Sequence, residues 1–307
     1  MPTKKSLQLW EKQIGSQRDW VWRGWKIRYT YLRTSKPHSS STNIPLIFIH
    51  GFGSGIGQWC ENLHPISQEY PIYALDLLGF GASEKASTEY NANLWAAQIH
   101  EFWRLVIGEP VVIIGHSLGA VVALATAAAY PDMVKGLVLL TLPSARKDLL
   151  PAYLDPLVGN IEGLFASPLL LWPLFKFVLS RRSIIASFAK LAYFNSEALT
   201  PDMVSVFFLP IQDRNADRAL YSLTRSRSHP NFCPSVKELL PTLQIPILTI
   251  WGKQDSVIPL SWGRQVATLN PNLRMIELDK TGHCAYHEHP HLVNQEILTW
   301  LEGIVRA

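Results

Sequence analysis

Residues 115–119 read Gly-His-Ser-Leu-Gly, and they stand between the apolar run PVVII at 110–114 and the helix-forming run AVVALA at 120–125. A buried strand, a tight turn and a helix in immediate succession leave a chain few folds to choose from. A serine at such a corner is forced into a strained backbone conformation, with its hydroxyl pushed out above the sheet. Gly115 and Gly119 flank it because a Cβ at either place would meet the neighbouring strand or helix. The helix that follows aims unpaired N–H groups, and the positive end of its dipole, at any anion that forms near Ser117. Ser117 is therefore the candidate nucleophile.

A serine hydroxyl needs a base within hydrogen-bond reach, and the base needs an acid to orient it. On a strand-helix-strand scaffold these partners come from loops at the carboxyl ends of later strands, in the order Ser, Asp, His. The run IPILTIWGKQD at 245–255 is a buried strand followed by Gly252 and a loop carrying Asp255. The run LRMIELD at 273–279 is a strand followed by Lys280, Thr281, Gly282 and His283. Asp148 and Asp279 are rival acids, but the first lies some way past its strand and the second sits at a strand end. His283 is preferred over the other histidines of GHCAYHEHPH because it comes earliest and Gly282 allows a sharp exit from the strand. His287, Glu288, His289 and His291 do not have the spacing of a metal site, and Pro290 should break a helix there, so they read as solvated loop residues. Oxyanion donors are expected from Leu118 N–H and from Phe52 N–H in the HGFG loop at 50–53, each worth about 3–4 kcal/mol in mutational tests. His50 reads as a structural residue holding that loop, and Asp76 in DLLGFGAS as scaffold.

The remainder of the chain fits around this constellation. Residues 20–33 alternate and are rich in aromatics, which predicts an antiparallel hairpin. Short continuous apolar runs follow at 46–49, 72–75, 111–114, 137–140, 247–250 and 275–278, the pattern of parallel strands buried on both faces. Helical stretches at 93–107 and 118–129 lie between them, so the fold class is α/β with a mostly parallel central sheet. From 142 to 243 no clean buried strand appears, and Pro151, Pro156, Pro168, Pro173, Pro201, Pro210 and Pro230 punctuate a helical pattern. The domain reading is a core at 1–142, an inserted helical cap at 143–243, and the rest of the core at 244–307. The apolar run at 164–179 holds two prolines and Lys176 and is too short to span a bilayer. It reads as a buried cap helix or as an interfacial element, beside Arg181 and Arg182, on an anionic membrane surface.

Composition excludes several classes. A net charge of +4 spread over 307 residues leaves no nucleic-acid footprint. Three scattered cysteines, Cys60, Cys233 and Cys284, supply neither a disulfide framework nor a metal knuckle, which favours a reducing, cytoplasmic setting. The glycines at 51–57 lack the acidic residue of a dinucleotide fold, so no cofactor is implied.

With HGFG, DLLGFGAS, GHSLG, WGKQD and TGH in this order, residues 20 to 305 resemble the α/β-hydrolase superfamily. The resemblance implies a serine hydrolase with Ser117, Asp255 and His283 as its triad and Phe52 and Leu118 at its oxyanion hole. Residues 18–31 and 50–59 further resemble cyanobacterial and plastid members similar to plant enzymes that remove phytol from chlorophyll pigments. That second likeness points to a hydrophobic ester as substrate. Ser117 stands where epoxide hydrolases and haloalkane dehalogenases carry aspartate. Perhydrolases, carbon–carbon bond hydrolases and a non-catalytic ligand-binding protein on this fold remain open alternatives.

Overall fold

The computed structural model describes residues 9–34, 44–149, 181–227, 229 and 231–306. Its eight strands form one sheet in the order β1-β2-β4-β3-β5-β6-β7-β8. They are β1 (Gln17–Trp22), β2 (Trp25–Leu32), β3 (Leu46–Ile49), β4 (Ile72–Leu75), β5 (Val111–His116), β6 (Val134–Leu140), β7 (Ile247–Gly252) and β8 (Leu273–Leu278). The first two form the expected hairpin, closed by Arg23 at φ 51° and Gly24 at φ 85°, the two left-handed residues that match strand twist. From β4 to β8 every pairing is parallel.

The continuous apolar runs are explained by the sheet's two covered faces. Leu46 and Phe48 enter one cluster while Ile47 and Ile49 enter the other, and Val111 to Ile114 alternate in the same way. One polar side chain in the middle of β7, Thr249, is satisfied by donating to the Leu139 carbonyl at 2.8 Å. The helix Leu118–Ala129 is buried along almost its whole length, which suits its lack of a polar face. The expected helix at 93–107 begins at Ala92, capped by the Asn91 side chain, and its last residues, Trp103–Ile107, widen into a π turn that Gly108 ends at φ 74°.

Between β6 and β7 the described residues form helices and turns and no strand: Arg146–Leu149, Arg182–Lys190, Pro201–Phe208, Ala216–Arg227 and Val236–Leu239. Pro201 sits at the first position of its helix, where its missing N–H costs nothing. The apolar run at 164–179 lies outside the described residues. Among the described residues no helix is long and apolar enough to cross a membrane.

Packing at the Ser117 corner leaves no room for a side chain at either flanking glycine. A Cβ on Gly119 would come within 2.2 Å of the Ile49 carbonyl oxygen on β3, and one on Gly115 within 2.3 Å of the Gly119 oxygen. Both contacts are with backbone, so neither can be relieved by a rotamer change. Gly119→Ala is therefore expected to destabilise the protein by at least about 3 kcal/mol. Gly303→Ala, in the helix Pro290–Arg306 with open space around it, should change stability by no more than about 1 kcal/mol, and in the stabilising direction. Urea midpoints of the two variants measure the contrast; similar midpoints would refute it.

Candidate active site

Four loops at the carboxyl edge of the sheet carry the residues singled out in the sequence. Ser117 follows β5 at φ 52° and ψ −117°, a left-handed conformation that a serine holds only under restraint. Its N–H donates to the Leu140 carbonyl on β6 at 3.0 Å, and its own carbonyl accepts from Ala120 and Val121. Leu118 N–H is the first of the new helix and so falls outside its hydrogen-bond ladder.

His283 is gripped at three points. Its Nδ1 lies 2.8 Å from Asp255 Oδ2, its N–H donates to the Ala192 carbonyl at 2.8 Å, and its carbonyl accepts from His116 Nε2 at 3.0 Å. The other oxygen of Asp255 accepts from the N–H groups of Val257 and Ile258, both at 2.8 Å. The carboxylate is thus buried with both oxygens bonded, which aims it at the imidazole. Burial lowers the pKa of His116 well below its usual value, so it stays neutral and donates from Nε2.

The rival acids have other work. Asp148 is buried, where it accepts from Ala145 N–H, Ser235 Oγ, Val236 N–H and Lys237 N–H at 2.6 to 3.2 Å. Asp279 is exposed and accepts from the Gln254 amide at 3.4 Å.

The HGFG loop is held by its neighbours. Gly51 N–H donates to Gln58 Oε1 at 3.0 Å, and His50 donates from Nδ1 to the Gly51 carbonyl while accepting the Leu77 N–H at Nε2. His50 therefore has one neutral tautomer, and burial depresses its pKa in agreement. Asp76 fastens the loop to the next one, accepting from Ile56 N–H at 2.6 Å and Ala82 N–H at 2.7 Å. Ser117, Leu118, Phe52 and His283 all line one cavity of about 1100 Å³, with Asp255 behind the histidine.

Two readings of the 282–291 segment need correction. Gly282 is not in a left-handed conformation; the sharp turn out of β8 is made by Lys280 at φ 50°. Gly282 is required by crowding, since its Cβ would lie 2.6 Å from Phe194 N and 2.8 Å from the Ala192 oxygen. Nor are His287 and Glu288 solvated loop residues, because they form the short helix Ala285–Glu288, and Pro290 opens the next helix rather than breaking one. His287 Nδ1 meets the Tyr193 hydroxyl at 3.0 Å. Glu288 accepts from Gly282 N–H at 2.8 Å with one oxygen, and from Phe194 and Asn195 N–H, both at 2.9 Å, with the other. Ser256 adds a bond from its hydroxyl to the Leu191 carbonyl at 2.6 Å. Residues 191–195 thereby strap together the loops that carry Asp255 and His283. No local pattern announces Glu288 or this strap, because the partners are some ninety residues apart.

The model of the alpha/beta hydrolase fold family matches residues 44–290. The chain belongs to that family. Human 1-acylglycerol-3-phosphate O-acyltransferase ABHD5 is 28% identical over 297 residues, covering 85% of this chain and 78% of the relative. The chloroplastic pheophytinase of Arabidopsis thaliana is 26% identical over 303 residues, covering 84% of this chain and 61% of that protein. Among solved structures, a membrane phospholipase A described as a bacterial virulence factor superposes with a TM-score of 0.76 at 20% identity, over 97% of this chain and 90% of its own. At that identity the likeness is one of fold. The expected α/β-hydrolase architecture and the likeness to a plastid pigment enzyme are both present in these comparisons.

Burial pushes His287 down to about 4 from a usual value near 6.5. The unfolded chain then binds a proton there that the folded chain refuses, so stability is complete above pH 6.5 and lost as pH falls toward 4. The loss from this residue is expected to reach about 2 kcal/mol by pH 5. Urea titrations of wild type and His287→Gln at pH 7.5 and 5 measure it. The variant should lose less stability between the two pH values; an equal loss would remove His287 as a source.

Proposed function

We propose that this α/β-hydrolase cleaves a carboxylic ester with a hydrophobic moiety through an acyl-enzyme. The 2.8 Å contact between His283 Nδ1 and Asp255 Oδ2, on the same cavity as the strained Ser117, carries the reading. With Nδ1 donating to Asp255, neutral His283 keeps its lone pair on Nε2. There it takes the proton of Ser117 as the hydroxyl attacks the ester carbonyl. The oxyanion is met by Leu118 N–H and Phe52 N–H. Collapse of the tetrahedral intermediate breaks the ester C–O bond, and His283 returns the proton to the leaving alcohol. Water, deprotonated by His283, then clears the acyl group from Ser117.

The hydrophobic substrate is supported by the cavity wall. Ile185, Phe188, Phe207, Ile211, Leu220 and Leu223, all from the segment between β6 and β7, line it. They come from the proposed cap at 143–243, outside its most apolar run at 164–179. Relatives named for 1-acylglycerol-3-phosphate acyl transfer and for pheophytin bring lipid and pigment esters forward as candidates.

Fluorophosphonate labelling and a series of p-nitrophenyl esters test the proposal. Wild type should be labelled at Ser117 and should cleave octanoate and longer esters with higher kcat/KM than acetate. Ser117→Ala should lose labelling and at least about 1000-fold in kcat. Equal rates for the two proteins would end the serine mechanism. A strong preference for acetate would end the hydrophobic assignment, and faster cleavage of a ring-cleavage dienoate or β-diketone would favour carbon–carbon hydrolysis.

A further inference from the structure

The cavity above Ser117 opens to solvent through a ring of residues that both line it and are exposed. They are Phe52, Leu149, Phe188, Val257, Arg227 and His229. The first four are large and apolar, at 43%, 65%, 63% and 47% exposure, and the other two are basic. No aspartate or glutamate stands among the described lining residues.

The apolar surface continues beyond the ring. Phe188 lies in the helix Arg182–Lys190, and Leu191 and Phe194 follow that helix at 67% and 51% exposure. The spacing of Ile184, Phe188 and Leu191 puts them on one stripe. The backbone beneath this stripe is held in place. Arg182 donates to the Pro201 carbonyl and, at 2.8 Å, to Ser205 Oγ, which fastens its helix to the helix Pro201–Phe208. The Leu191 carbonyl accepts from Ser256 Oγ beside Val257, and the Phe194 N–H donates to Glu288. The main chain of both residues is thus bonded internally while their side chains face water. Residues 181–199 also carry Arg181, Arg182 and Lys190 against one acid, Glu197.

A folded chain seldom leaves several large apolar side chains together in water unless something covers them. A rim of apolar and basic groups without acids has the chemistry of a bilayer interface, where acyl chains take the first and anionic headgroups the second. Fully exposed cations suffice, because each is drawn by the surface potential, by about fivefold per charge and less at high salt. We infer that the cavity opening docks on an anionic lipid surface, with Phe188, Leu191, Phe194 and Val257 among the acyl chains and Lys190 and Arg227 at the headgroups. An ester dissolved in the bilayer then reaches Ser117 without crossing water. That advantage rests on the hydrophobic-ester reading, whereas the docking itself does not.

Flotation of the full-length Ser117→Ala protein with lipid vesicles tests this without turnover. At low salt, vesicles of phosphatidylcholine with phosphatidylserine should bind at least about tenfold more tightly than phosphatidylcholine alone, a margin that salt narrows. Leu191→Ser combined with Phe194→Ser should weaken binding to the mixed vesicles at least about tenfold. Lys190→Gln combined with Arg227→Gln should shrink the phosphatidylserine margin at least about fivefold. Val21→Ser, which removes a similarly exposed apolar side chain from the edge strand β1, should change nothing. Circular dichroism reports that each variant is folded. Failure to float under every condition overturns the inference, and a dimer seen by light scattering in that case gives the face to a second copy. Binding that survives both double substitutions, or that falls as far with Val21→Ser, overturns it as well. Ser117 labelling and cleavage of soluble esters are measured without lipid, so the hydrolase reading stands or falls separately.

Discussion

The helix Leu118–Ala129 meets strand β3 with no side chain between them, and the geometry of the site depends on that contact. Gly119 sits so close to the Ile49 carbonyl that only a hydrogen fits in place of a side chain. This approach fixes where the helix starts, and the start fixes Ser117 at φ 52°. A strained residue of this kind costs on the order of 1–3 kcal/mol. Burial of ten residues of the same helix offsets it, because each removes apolar surface from water. The strain therefore persists at a place where the surrounding packing leaves no alternative.

Buried carboxylates organise the loops above this corner. A carboxylate out of water is costly unless its lone pairs are bonded. Asp76, Asp148 and Asp255 each meet that demand by collecting backbone N–H groups. Each also reaches a second segment: Asp76 joins two loops at the carboxyl edge, and Asp148 joins the end of β6 to the approach to β7. Of these three, Asp255 is the one that gives an oxygen to a histidine, His283. This difference in bonding, rather than residue type, sets the candidate catalytic acid apart from its rivals. Glu288 works in the same way on the far side of the histidine, although it is less buried.

The position of His283 consequently depends on chain outside the sheet. Residues 191–195 belong to the long excursion between β6 and β7, yet they bond to the loops on both sides of the His283 and Asp255 pair. The same excursion supplies most of the cavity's apolar wall, whereas the sheet edge supplies its polar floor. Changes made in the excursion to alter substrate fit will therefore reach the histidine unless they spare this strap.

Much of the architecture was legible in the chain itself. Continuous apolar runs identified the parallel strands because both faces of this sheet are covered, and alternation identified the hairpin. Gly115 and Gly119 marked the corner at Ser117, because only a close approach of backbone makes glycine necessary at both places. The order of Ser117, Asp255 and His283 followed from strand ends, which local pattern can find. Only the tertiary structure decided which acid meets the histidine, because that depends on which carboxylates were already committed to backbone N–H groups. It alone showed His287 and Glu288 as internal partners of residues 193–195, and Arg227 as part of the cavity wall. Hydrogen bonds and charges between segments ninety residues apart leave no periodicity for a sequence to display.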